Sequence, residues 1–148
     1  MAYRFPLEAL LRLRTTLTRQ EEVRLEGLAQ QLQAARQELE ALQARRREFE
    51  RSLNAELKRG TLGSELQLRM IGSRGLREAE QQLMRAIVVL ERSWSEQREK
   101  FKEARQRQEV LENVRQGQVV IYKEEQRRRE QQLIDDLFRA RTAVEKAR

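Results

Sequence analysis

The chain has 148 residues, 39% apolar and 37% charged, with six Gly, one Pro and 31 Lys and Arg against 24 Asp and Glu, for a net charge of +7. It has no Cys and no His, which excludes disulfides, soft-metal sites and any reaction that needs a thiolate or an imidazole. What remains is the length of one ordinary domain and the composition of long exposed helices, so residues 1–148 read as a single coiled-coil domain.

The first element is a helix from about residue 6 to 58. Pro6 suits a first helical turn, where its missing N–H costs nothing. Apolar side chains then recur three and four residues apart at Leu7, Leu10, Leu17, Leu25, Leu28, Leu32, Ala35, Leu39, Leu42, Phe49 and Leu53. Such spacing is the seam of a coiled coil. The step through Leu17, Glu21 and Leu25 is 4,4, a stutter that locally unwinds a left-handed supercoil, and Gly27 follows it directly. The run Arg45-Arg46-Arg47 has Glu close by and reads as a solvated face with i,i+4 pairing.

Gly60 and Gly63 break the pattern, and Ser64-x-x-Gln67 then has the form of a capping box. Gly72, Ser73 and Gly75 follow almost at once. Residues 59–73 are therefore expected to form the tip, with a short separate helix from about 64 to 71 carrying Leu66, Leu68, Met70 and Ile71.

A second helix is predicted over about 74–146. Its seam runs through Leu76, Leu83, Ile87, Leu90, Trp94, Phe101 and Leu111, then meets Arg115, Gln118, Tyr122, Glu125 and Arg129. A shifted apolar stripe returns at Ile134, Leu137 and Val144. One break between two long seams predicts an all-α fold, a long two-helix antiparallel coiled-coil hairpin. Pairing Lys58 with Arg74 would set Pro6 opposite about Gln126. Roughly 20 residues of the second helix, ~30 Å at 1.5 Å per residue, would then extend beyond the first, still carrying Leu133, Ile134, Leu137 and Phe138. Apolar side chains on an unpaired helix call for a partner.

No catalytic constellation is present, and no cofactor or metal is expected. There is no phosphate-binding Gly loop and no calcium-loop spacing, and Asp135 and Asp136 are adjacent on a helix, pointing ~100° apart. Nucleic-acid recognition is poorly served: aromatics are 5% of the chain, Trp94 and Phe101 lie on the seam, and Glu interrupts the basic runs, so no base-stacking platform or phosphate track forms. The longest apolar run is Ala86-Ile87-Val88-Val89-Leu90, far short of the ~20 residues of a spanning helix. Arg12 and Arg14 also break the N-terminal Leu cluster before any signal-peptide cleavage site. A cytoplasmic protein without membrane insertion is the expectation.

The ends of the chain resemble a known family. Tyr3-Arg-Phe-Pro-Leu-Glu-Ala-Leu-Leu-Arg-Leu-Arg14 is similar to the opening of the FliJ family, the small coiled-coil proteins of the flagellar type III export apparatus. Leu111-Glu-Asn-Val-Arg115, Tyr122-x-x-Glu125-x-x-Arg128-x-Glu130-Gln131 and Ile134-Asp135-Asp136-Leu137 resemble its closing signature. The Glu-rich stretch usual after the opening Arg is delayed here to Glu21-Glu22. The resemblance implies a stalk, similar to that of rotary ATPases, which inserts as a monomer into the hexameric export ATPase and promotes its assembly. It also implies a link to the cytoplasmic region of the membrane-embedded export gate and to export chaperones, and a place at the inner-membrane export apparatus as a peripheral component. On that basis Leu10, Arg12, Leu13, Arg14, Arg128, Arg129, Leu133, Leu137 and Phe138 are nominated for the ATPase ring. Met70, Ile71, Leu76, Ala79 and Leu83 are nominated for the gate. The competing readings are the equivalent stalk of a virulence-type secretion system, a self-associating structural coiled coil, and a binder of nucleic acid or anionic surfaces.

Overall fold

A computed structural model describes residues 2–60 and 62–148, and it is an all-α helical hairpin. Helix α1 spans Glu8–Arg59 and helix α2 spans Gly63–Lys146. Helix α1 closes at Gly60, whose φ of 83° is the left-handed conformation that ends helices without the cost a Cβ would impose. The carbonyl of Leu62 accepts the first bond of α2, from the Leu66 N–H at 3.1 Å.

The connection is therefore tighter than the sequence suggests. No separate helix stands between the two long ones: Ser64 lies in the first turn of α2, and Gly72, Ser73 and Gly75 lie within it. Gly72 is not a breaker but a close-approach residue, since a Cβ there would sit 3.4 Å from Phe49 Cζ on α1. Helix neighbours and the Phe49 ring outweigh the roughly 1 kcal/mol that glycine costs a helix interior.

Burial shows which face of each helix forms the seam. Along α1, every buried or half-buried seam position from Leu11 through Arg14, Thr18, Glu21, Leu25, Leu28 and Leu32 to Glu56 keeps an unbroken 3,4 alternation. The expected stutter is absent. Leu11 and Thr18 are buried, whereas Leu10 and Leu17 are each 37% exposed. The apolar residues Leu10, Leu13 and Leu17 form a flank beside the seam, and polar residues take places on it. Thr18 tolerates burial because its hydroxyl donates to the Arg14 carbonyl at 2.9 Å. Along α2 the same alternation runs from Leu66 through Arg69, Ser73, Leu76, Glu80, Leu83 and Ile87 to Leu111, starting ahead of Leu76, the first Leu of the predicted seam.

Contacts divide the chain into two compact units: Arg19–Lys102, and the residues up to Thr18 with Glu103–Arg148. Within the first, antiparallel pairing is marked by Arg36–Glu91 at 3.0 Å, Arg46–Glu80 at 2.7 Å, Arg77–Glu50 at 3.1 Å and Arg69–Glu56 at 2.5 Å. Gln97, buried on α2, donates to the Glu21 carbonyl at 3.1 Å and to the Glu21 carboxylate. Polar seam residues on one helix thus meet polar seam residues on the other, and no buried side-chain polar atom among the described residues lacks a partner.

In the second unit, residues ahead of α1 lie along α2. The Tyr3 hydroxyl donates to Gln118 Oε1 at 2.6 Å, and its ring centroid lies 5.2 Å from that of Tyr122. Phe5 is buried, and Glu8 faces Arg115 at 3.7 Å. Pro6 therefore lies level with a point well before Gln126, and the unaccompanied part of α2 begins soon after Tyr122. Beyond that residue only Gln126 and Thr142 are even half-buried.

Candidate interaction surfaces

Among the described residues Phe5, Leu11, Leu32 and Ile87 make up the buried apolar core, and none is fully enclosed. Two helices side by side shield only one stripe each. Function then has to come from faces and ends, and three such regions carry apolar side chains in water.

The first is the free stretch of α2. Leu133, Ile134, Leu137, Phe138 and Val144 are 58–71% exposed. Leu133, Leu137 and Val144 share the heptad spacing of a seam with nothing opposite them. Arg127, Arg128, Arg129 and Arg139 have no acidic partner among the described residues, and Arg141 pairs with Glu145 only at 3.5 Å. The stretch from residue 123 to the helix end would measure roughly 35 Å at 1.5 Å per residue.

The second is the start of α1, with Leu7 42%, Leu10 37%, Leu13 53% and Leu17 37% exposed. Arg12 extends into solvent and lies only 4.0 Å from Glu8, while Arg14 is half-buried on the seam. The nominated ring residues do not form one patch. With Glu8 level with Arg115, Leu10 and Leu13 lie some 20 residues of α2 before Leu133, ~30 Å along the helix.

The third region is a groove near the turn, lined by Glu50, Leu53, Asn54, Met70, Ile71, Ser73, Arg74 and Arg77. Met70 and Ile71 are 59% and 67% exposed. Arg77 and Arg46 both hold Glu50, at 3.1 and 3.2 Å. The hydrogen bond from Arg77, with that from Arg46 and the charge of both, keeps the Glu50 carboxyl below its ordinary range against some opposing desolvation. Of the other residues nominated for the gate, Ala79 is exposed, whereas Leu76 and Leu83 are half-buried on the seam. A smaller recess lies farther along, lined by Trp94, Ala29 and Leu32, and the Arg98 guanidinium sits 5.4 Å from the indole centre.

Sequence reasoning missed the Tyr3–Gln118–Tyr122 contact, because a residue ahead of a helix has no periodicity to reveal it. It also missed Leu57 and Leu62, exposed around the turn with Leu68. Among the described residues no cluster of carboxylates is arranged to hold a metal ion, and no helix is long and apolar enough to cross a membrane.

A family model described as flagellar FliJ protein matches residues 3–147. No curated protein and no solved structure matches the chain.

Proposed function

Since the chain belongs to the FliJ family and is thereby a component of the flagellar export apparatus, we propose that it is the non-enzymatic stalk of the export ATPase. The free stretch of α2 enters the pore of the hexameric ring, promotes its assembly and raises its turnover. The observation that carries this reading is the unaccompanied helix beyond Tyr122. It displays Leu133, Leu137 and Phe138 in water beside Arg127–Arg129, a combination costly to leave exposed unless a partner covers it.

Arg128 and Arg129 would meet acidic groups in the pore, with Leu133, Leu137 and Phe138 beside them. Leu10, Arg12, Leu13 and Arg14 would touch the mouth of the ring rather than its interior, as their distance along the helix implies. A single stalk in a six-fold ring faces non-equivalent sites and must slip between them. Exposed ion pairs worth ~0–1 kcal/mol each suit that better than a broad apolar face. The groove at Met70 and Ile71, with Ala79 and the rims of Leu76 and Leu83, would take the cytoplasmic part of the export gate, and export chaperones would be recruited along the hairpin. The chain works as a monomer at the inner membrane, as a peripheral component.

The test is ATP hydrolysis by the cognate export ATPase with and without this chain, with ring assembly followed by light scattering. Stimulation that falls several-fold with Leu137→Ala plus Phe138→Ala, at unchanged helicity, is the expected result. Unchanged stimulation by the double variant removes the tail from the mechanism. The second reading, a self-associating coiled coil, draws on the same exposed stripe and predicts a stable dimer through residues 123–146.

A further inference from the structure

The turn end of the hairpin combines two properties that the stalk reading does not use. Between Arg51 and Arg77 there are six Lys and Arg against two Asp and Glu, of which Arg51, Arg74 and Arg77 pair with Glu48, Glu78 and Glu50 just outside that span. Both acidic residues there are modest counterweights: Glu56 is held by Arg69, and Glu65 is exposed in the first turn of α2. Lys58 and Arg59, in the last turn of α1, have no acidic partner among the described residues. Around them stand Leu57 at 48%, Leu62 at 71% and Leu68 at 70% exposure.

Leu62 lies in the connection itself, and the groove that could receive a partner helix lies to the side, at Leu53, Met70 and Ile71, with none of Leu57, Leu62 and Leu68 in its lining. Exposed leucines at and beside a turn, with Lys58 and Arg59 on long apolar stems in the same segment, match the boundary of a lipid leaflet. There the leucines enter the headgroup–acyl region while the cations remain among the phosphates. An anionic leaflet adds an attraction that grows with each basic residue brought near it.

We propose that the turn of this hairpin docks end-on to an anionic phospholipid surface, with Leu57, Leu62 and Leu68 as a shallow wedge and Lys58 and Arg59 as phosphate contacts. The contact is peripheral and reversible, since the wedge is three side chains and no spanning segment accompanies it. It stands independently of the ring, because it uses the opposite end of α1 from the nominated ring residues.

The full chain is mixed with phosphatidylcholine vesicles and with vesicles that also contain phosphatidylglycerol, and co-sedimentation is measured across a salt series. Binding to the anionic vesicles is expected to exceed binding to the neutral ones about tenfold or more and to weaken as salt rises. K58A with R59A should weaken it about tenfold or more, from the loss of two cations near the surface. Leu62→Asp should weaken it several-fold at unchanged helicity, whereas R127A/R128A/R129A should leave it within about twofold. Equal binding to both vesicle types overturns the proposal. So does binding that the tail variant abolishes and the turn variants spare, or that Leu62→Asp leaves intact. Saturable capture of a soluble acidic export protein by the turn, with no vesicle binding, also overturns it and gives this end to a protein.

Discussion

Glu80 Oε2 lies 2.7 Å from Arg46 Nε, and the two residues occupy seam positions on opposing helices. Glu80 is 7% exposed, as deep as the core leucines. A carboxylate there is tolerated only because the guanidinium answers it, and the hydrogen bond and charge of Glu80 in turn raise the pKa of Arg46. The same pairing of polar seam residues recurs at Glu56 with Arg69 and at Glu21 with Gln97. Glu80→Ala should therefore lower Tm by about 3–6 °C, because it leaves Arg46, on the seam, with Glu50 as its remaining partner. Glu80→Leu combined with Arg46→Leu should recover the loss. Thermal melts followed by circular dichroism decide it, and a double variant no more stable than Glu80→Ala would mean the pair is worth more than apolar packing.

Glu50 makes stability depend on acid. Its folded-state pKa lies below the unfolded value, chiefly through the hydrogen bond from Arg77 and then that from Arg46. The unfolded chain then takes up the proton more readily, so stability rises with pH through this window. The contribution is complete above the ordinary Glu value of about 4.3 and is lost as pH falls through the lower folded value. Urea midpoints measured from neutral pH to pH 3 should fall less steeply for Glu50→Gln than for the parent chain. Parallel curves would show that Arg77 and Arg46 do not stabilise the ionised form.

The glycines near the turn respond in opposite directions. Gly60 has φ of 83°, where an L side chain is strained, so Gly60→Ala should destabilise by about 1 kcal/mol. Gly75 is inside α2, and a methyl added there would meet nothing within 4 Å. Gly75→Ala should stabilise by about 1 kcal/mol, the difference in helix propensity. Gly72→Ala should gain less, since its methyl would meet the Phe49 ring at 3.4 Å. A loss of stability in Gly75→Ala would indicate a break in α2 at that point.

The opposing behaviour of these glycines explains much of what is readable in advance. Two helices, their antiparallel pairing and the exposed tail follow from apolar spacing alone. The start of the α1 seam, up to Leu17, reads one residue off because Leu7, Leu10, Leu11, Leu13 and Leu17 offer two faces, and hydrophobicity favours the one without Thr18. The fold selects the other: Gln97 meets Glu21 across the interface, and the Thr18 hydroxyl is satisfied within its own helix by the Arg14 carbonyl, neither of which one-dimensional patterning sees. The tip misleads for a related reason. Glycine weakens a helix in isolation, but α2 continues through Gly72, which faces the Phe49 ring of α1. The residues nominated for partners are legible as exposed apolar and basic positions on the tail, while Leu76, Leu83 and Arg14 serve the seam as well.

Tyr3 joins the segment ahead of α1 to α2. Its hydroxyl reaches Gln118 at 2.6 Å and its ring tilts against Tyr122 at 44°. Tyr3→Phe removes the hydrogen bond and should cost about 0.5–1.5 kcal/mol in local opening. Tyr3→Ala removes the ring contact too, adding about 0.5–1.5 kcal/mol. Amide exchange of residues 115–122 reports the difference directly: it should quicken in Tyr3→Phe and more in Tyr3→Ala. Unaltered exchange in both would show that the Tyr3 contacts do not hold this stretch of α2.

Beyond Tyr122 the helix has only its own backbone bonds and i,i+4 contacts such as Gln131–Asp135 at 2.9 Å and Arg141–Glu145 at 3.5 Å. About two dozen residues without a packed face form a helix of marginal stability in water, because propagation gains little per residue and tertiary contact usually supplies the rest. Amides of residues 123–146 should therefore exchange about a hundredfold or more faster than those of 80–97, whose opening requires separation of the two helices. Leu137→Ala with Phe138→Ala should leave Tm within about 1 °C, as both side chains are more than 60% exposed. Added export ATPase should slow exchange across 127–141 in the parent chain and much less in the double variant. Protection that appears without the ATPase, and grows with the concentration of the chain itself, would instead assign the Leu133–Leu137–Val144 stripe to a second copy of this protein.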